Sequence, residues 1–170
     1  MKKLLEILAL CLLLSINVYA SENEFPLDSE ITYGKLDNGF TYYIRENQTP
    51  KDKVSIKLII KTGSIMEEEN QLGLAHLLEH MAFNGSKNFP KKKIDEYMSS
   101  IGLNLGSHYN ASVSFLKTHY VYEIPTKNDK DVEVALKILT DISKNLTFEP
   151  EAFERERKIV EEEWRRDIGG

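Results

Sequence analysis

Apolar and polar positions alternate through Val54, Ile56 and Leu58 and then run together at Ile59 and Ile60. That pattern predicts a central strand over residues 54–60. Two shorter β-favouring runs, residues 32–36 and 40–44, flank Asp37-Asn38-Gly39, a hairpin signal. Lys61-Thr62-Gly63-Ser64 breaks the strand pattern, and residues 66–70 read as an acidic linker. From 72 to 83 the period changes to that of a buried helix, with Leu74, Leu77, Leu78 and Met81 on its faces and Asn84-Gly85 as its stop. Pro90 opens a second helix over 91–100, closed by Gly102. Residues 103–109 and 112–124 read as strands, since Val113, Phe115, His119, Val121 and Tyr122 supply β-favouring bulk. Residues 129–146 form an amphipathic helix through Val132, Ala135, Ile138, Leu139, Ile142 and Leu146. Glu149-Pro150 starts a last helix over 151–167.

Strands in groups followed by helices in groups predict an α+β fold, an antiparallel or mixed sheet with helices packed on one face. There is no internal repeat and no low-complexity tract.

The first twenty residues stand apart from this pattern. Lys2 and Lys3 precede an apolar run from Ile7 to Ile16, and Ala20 precedes polar Ser21-Glu22-Asn23-Glu24. This is the layout of a secretory signal peptide over residues 1–20. The run is shorter than the roughly 20 residues a spanning helix needs, so no membrane anchor is expected after cleavage. Residues 21–30 read as an extended leader, and 31–170 as the folded part. The chain is therefore expected to be exported, to a periplasmic or secreted location. Its single cysteine, Cys11, lies inside the signal segment, which leaves the exported chain without disulfides. Net charge is −5, with 22 Lys and Arg against 27 Asp and Glu. Lys91-Lys92-Lys93 is a short solvated run, not a basic stripe, so nucleic acid is not an expected partner.

Candidate chemistry concentrates in His76-Leu77-Leu78-Glu79-His80. On a helix the two histidines lie one turn apart on one face, with Glu79 beside them. Two imidazoles at that spacing can hold one metal ion, and a neighbouring carboxylate can act on a water there. The order is the reverse of the His-Glu-x-x-His zinc signature, with the same physics. The plain alternative is a surface helix with two histidines and a solvated glutamate. His108 and His119 lack a partner at ligand spacing and read as structural. Trp164 reads as core.

The segment from Gly73 to Ser86 resembles the active-site helix of the pitrilysin/insulinase family of zinc metallopeptidases. Phe89-Pro90, Asn110-Ala111 with Ser114 and Thr118 to Tyr120, and the last helix from Glu154 to Trp164 resemble further parts of that family, in order. The resemblance implies Zn2+ as cofactor and peptide-bond hydrolysis as reaction. It implies His76 and His80 as metal ligands, Glu79 as general base and Glu163 as third ligand, with Glu162 the fallback in a run of three glutamates. Glu156 becomes an auxiliary carboxylate, and Asn110 and Ala111 substrate-binding positions on an edge strand. Catalytic zinc keeps three protein ligands and one open place, which suits this set.

The family's domain is longer than this chain, so residues 31–170 read as the N-terminal portion of an incomplete family domain. The expected partners are a peptide or unfolded polypeptide and a second family domain or subunit completing the site. Three functions compete: a zinc endopeptidase or its metal-bearing piece, a non-catalytic peptide- or subunit-binding relative, and a structural zinc domain. The intact His76, Glu79 and His80 set disfavours the second. The third wants a fourth ligand, usually cysteine.

Overall fold

The computed structural model describes residues 26–168. The expected signal peptide and residues 21–25 of the expected leader lie outside the described residues. Residues 26–30 are not simply extended: Asp28 closes a turn, its Oδ1 accepting from Glu30 N at 3.0 Å and its carbonyl from Ile31 N at 2.9 Å.

The described residues divide into two compact units, with the boundary between Gln48 and Thr49. In the first, β1 (Ile31–Lys35) and β2 (Thr41–Arg45) form an antiparallel hairpin, with Ile31 opposite Arg45 and Lys35 opposite Thr41. Asn38 Oδ1 accepts from Phe40 N at 3.0 Å and Gly39 takes φ +87°, so the Asp-Asn-Gly signal does form the turn.

The second unit is α+β. β3 (Lys53–Ile60), β4 (Tyr109–Val113) and β5 (Thr118–Pro125) form an antiparallel sheet in the order β3-β5-β4. Its helices are α1 (Leu74–Ala82), α2 (Lys91–Ser100), α3 (Asp129–Ile142) and α4 (Pro150–Ile168). Along β5 every second residue is buried, and Tyr120, Tyr122 and Ile124 face the core. The register sets Val54 opposite Ile124, Ile56 opposite Tyr122 and Leu58 opposite Tyr120, so β3 turns its apolar set to the same side. Ala82 of α1, Ile94 and Met98 of α2, and Ala135, Ile138 and Leu139 of α3 pack onto that side. The first three helices therefore cover one face of the sheet, as the element order predicts, and α4 packs on α1. Fully burying each such large apolar side chain contributes about 1.5–3 kcal/mol.

Four expectations need correction. Residues 103–109 are not a strand: Gly106 takes φ +86°, Asn104 N donates to His108 Nδ1 at 3.2 Å, and β4 starts only at Tyr109. Residues 112–124 are not one strand but the end of β4, a turn and β5. Ser114 closes that turn, its N and Oγ donating to Lys117 O at 2.9 and 3.0 Å. Phe115, which lent the segment part of its β-like bulk, stands exposed with Leu116 at the hairpin tip. The helix expected over 129–146 stops at Ile142: Lys87 N donates to the Asn145 carbonyl at 2.9 Å and Thr147 N to the Gly85 carbonyl at 3.3 Å, drawing residues 145–147 onto the turn after α1. Trp164 is 63% exposed rather than core. It follows Glu163 by about 100° of helix rotation, off the stripe that α4 turns inward.

The sharp turn between α1 and α2 depends on Gly85. Its φ is +116°, and a Cβ there would lie 2.8 Å from Lys91 N. Asp141 of α3 anchors this turn by accepting from Ser86 Oγ, Asn88 N and Asn88 Nδ2 at 2.5, 2.9 and 2.7 Å. The turn after α1 is thereby tied to α3.

Candidate metal centre

α1 is a nine-residue helix with two faces of different character. Leu77 and Met81, four residues apart, pack against Val160, Ala152 and Phe153 of α4. His76 and His80 have the same spacing one residue earlier, so their stripe borders the apolar one. Their rings lie 4.8 Å apart, edge to face. α4 answers with Phe153, Glu156, Val160 and Glu163, spaced three, four and three apart. This stripe interleaves two carboxylates with two apolar anchors. The apolar pairs seat α1 on α4, and that seating brings carboxylates to histidines.

The start of α1 is held by a residue that sequence spacing did not flag. Glu67 accepts from Gly73 N at 2.8 Å and from Ala75 N at 2.7 Å, satisfying donors that open a helix. It lies six residues before Gly73, outside any capping-box spacing. The residues expected as linker form two 3₁₀ turns, Ser64–Met66 and Glu69–Gln71, which fold Glu67 back onto the helix.

Glu163 Oε2 lies 3.4 Å from His76 Nε2 and 3.4 Å from His80 Nε2. These three residues are a group whose ligand atoms all lie within 4.8 Å of one another. Glu162 turns away: its side chain is 65% exposed and pairs with Arg165. Glu79 is buried beside the group, with Oε2 3.8 Å from His76 Nε2. Glu156, also buried, sits behind His80, with Oε2 3.1 Å from His80 Nδ1.

The donor set fits a zinc ion. A carboxylate only accepts, so in the neutral ring the His80 proton sits on Nδ1, toward Glu156. The lone pair of Nε2 then faces the Glu163 oxygen across 3.4 Å, too far for a good hydrogen bond and suited to a shared cation. Two ligands about 2.0–2.1 Å from a tetrahedral zinc stand about 3.3–3.4 Å apart. Both nitrogen–oxygen distances here match that edge.

Electrostatics sort the groups into roles. Burial, and then the neighbouring His80, hold His76 below the usual imidazole range, against the pull of Glu163, Asp167 and Glu67. That favours the neutral ring a metal needs. Burial pushes the Glu79 carboxyl up; His80 pulls it back and Glu163 adds to the rise. A raised carboxyl is the better proton acceptor. Burial would raise Glu156 too, but its hydrogen bond with His80 and the charges of His80 and Arg155 hold it low. Burial, and then the charge of Glu79, raise the phenol of Tyr120.

The other expected positions lie elsewhere. Asn110 is exposed on the edge strand β4, facing away from the core, and Ala111 is half-buried opposite Tyr120. Neither belongs to the histidine–glutamate group. His108 accepts from Asn104 N, and His119 meets Ser112 across the β4–β5 ladder at 3.2 Å.

A fold with this site matches a known class. Residues 42–167 match the insulinase family, peptidase family M16. The chain belongs to that family, and the resemblance seen in its motifs holds. It is 40% identical over 146 residues to the probable zinc protease PqqL of Haemophilus influenzae, covering 86% of this chain and 16% of that protein. The crystal structure of the periplasmic protease PqqL from Escherichia coli superposes with a TM-score of 0.78 at 41% identity, over 82% of this chain and 16% of that one. The ferredoxin protease FusC, solved in complex with Arabidopsis ferredoxin, gives 0.70 at 35% identity over 79% and 15%. This chain thus spans about a sixth of the length of the relatives it matches.

Proposed function

We propose that this chain carries the metal half of a zinc endopeptidase, with His76, His80 and Glu163 as ligands and Glu79 as general base. The observation that carries the proposal is the meeting of two imidazole nitrogens and one carboxylate oxygen at 3.4 Å, beside a buried second carboxylate. A zinc ion bound there would polarise a peptide carbonyl and lower the pKa of water toward roughly 7.

The chain's own residues supply the rest. Glu79 takes the proton of the attacking water and returns it to the leaving amine, and its burial makes it more basic than a free carboxylate. Glu156 holds the Nδ1 proton of His80, so Nε2 stays free to ligate. Asn110 and Ala111 lie on an edge strand, where an extended peptide adds by backbone hydrogen bonds that read shape more than sequence. The substrate is a peptide or unfolded segment of protein. A second family domain or subunit, as in the much longer relatives, closes over it and steadies the developing oxyanion. Export to the periplasm is supported by the basic and apolar start of the chain and by the relative described as a periplasmic protease. Among the described residues no helix is long and apolar enough to cross a membrane.

The test is Glu79→Gln. Zinc content measured by atomic absorption should match wild type, while cleavage of an unstructured fluorogenic peptide falls by about 10²–10⁴. Equal cleavage by both proteins would remove Glu79 as base. Zinc bound without cleavage by either would favour an incomplete site that needs the second domain, or the non-catalytic relative.

A further inference from the structure

Four hydrogen bonds close a ring that begins and ends on His80. Asn84 Nδ2 donates to the carbonyl of His80 at 3.1 Å. Arg155 Nη2 donates to Asn84 Oδ1 at 2.7 Å. Arg155 Nε donates to Glu156 Oε1 at 3.3 Å. Glu156 Oε2 then meets His80 Nδ1 at 3.1 Å. Only one assignment of donors and acceptors satisfies the ring. Guanidinium only donates, so the Asn84 oxygen must face Arg155 and its amino group the carbonyl. Carboxylate only accepts, so the His80 proton must lie on Nδ1. The ring therefore ties the backbone of a metal-facing histidine to the orientation of its own imidazole.

We infer that Asn84 and Arg155 are positioning residues for the metal centre, locking Glu156 so that His80 presents Nε2. This rests on the metal-centre reading. Arg155 carries it because its planar fork spans two acceptors on different elements, Asn84 after α1 and Glu156 in α4. A lysine ammonium is a point charge on a flexible stem and lacks that fork. Arg155 is half-exposed, its side chain 51% accessible, so its loss does not open the core. Without it, Glu156 keeps its charge but loses the bond that fixes its plane. The His80 ring then samples the tautomer with its proton on Nε2, which cannot ligate.

The test uses the chain with ¹⁵N-labelled histidine. Long-range proton–nitrogen spectra of the metal-free protein report the His80 tautomer, and competition with a chromophoric chelator reports zinc affinity. Wild type should hold the Nδ1–H form. Arg155→Met and Asn84→Ala should give a tautomer mixture and weaken zinc about three- to tenfold. That is less than the 10–100-fold expected for removing a ligand's direct partner, as in Glu156→Gln. Arg155→Lys should not restore the wild-type values. In a Glu156→Gln background, Arg155→Met should add nothing further. A His80 tautomer unchanged in Arg155→Met would overturn the inference, as would zinc affinity within twofold of wild type. If wild type itself takes up no zinc while the tautomer still moves, the metal-centre reading fails and the clamp on the imidazole stands.

Discussion

Removing the carboxylate of Asp141 should destabilise the fold in a way that depends on pH. In Asp141→Ala, four bonds are lost: those from Ser86 Oγ, Asn88 N, Asn88 Nδ2 and Asn145 Nδ2, at 2.5–2.9 Å. Hydrogen bonds to charged groups contribute roughly 1.5–3 kcal/mol each, and they do not add. Asn88 is exposed and can turn to water, but Ser86 is 3% exposed and would keep only its long bond to the Phe89 carbonyl at 3.5 Å. The net loss should be about 3 kcal/mol near neutral pH. For a domain of this size that lowers Tm by roughly 10 °C. Burial alone would raise the Asp141 carboxyl, but the bonds from Ser86, Asn145 and Asn88 outweigh it and hold it at about 2. A depressed folded-state pKa contributes stability above the unfolded value, 3.8, and loses it as pH falls through about 2. Thermal melts of wild type and Asp141→Ala should therefore differ most at pH 5–7 and converge as pH approaches 2. A constant gap across that range, or no gap at pH 7, would refute the assignment of Asp141 as the charged anchor.

Three further outcomes follow from single contacts. Tyr122 Oη is buried without a hydrogen-bond partner among the described residues, so Tyr122→Phe should hold or raise stability by up to about 1 kcal/mol in denaturant titration; a loss of more than 1 kcal/mol would expose a hidden partner. Gly63→Ala should cost about 2–3 kcal/mol, since its Cβ would lie 2.1 Å from the Ser114 carbonyl and push the β4–β5 turn aside; a wild-type melting curve would contradict that packing. Asn110→Ala should raise KM for an unstructured peptide several-fold with zinc content unchanged; a KM equal to wild type would remove Asn110 from substrate binding.

Much of the fold was legible because local signals agreed with packing. The α2 helix spans the expected residues 91–100, since Pro90 and Gly102 bracket it unambiguously. The β3 strand was readable because one face alternates strictly and its register carries that alternation into β5. The misread elements failed where side chains act over a distance. The hairpin tip at Phe115 and Leu116 has strand-like composition, and only the Ser114 bonds to Lys117 reveal the turn. The end of α3 was not legible because residues 145 and 147 pair with the backbone of Lys87 and Gly85, more than fifty residues away.

The site divides in the same way. His76, Glu79 and His80 stand together on one helix, so their spacing announces them. The carboxylate that faces them sits in a run of three glutamates where neither composition nor propensity chooses. Helical rotation chooses instead: Phe153 and Val160 point inward, and residue 163 continues that stripe while residue 162 does not. Glu67 carries no motif, and Asn84 and Arg155, though inside segments that resemble the family, have no role that spacing announces. Glu67 acts through hydrogen bonds to the start of α1, and Arg155 reaches Asn84 only once α1 and α4 are seated.

The most direct measurement is zinc stoichiometry and affinity in wild type, Glu163→Gln and Glu162→Gln, by chelator competition and atomic absorption. Wild type and Glu162→Gln should each hold one zinc per chain with equal affinity, and Glu163→Gln should lose at least about tenfold in affinity. Unchanged binding in Glu163→Gln would contradict the convergence of α1 and α4 on a metal ion.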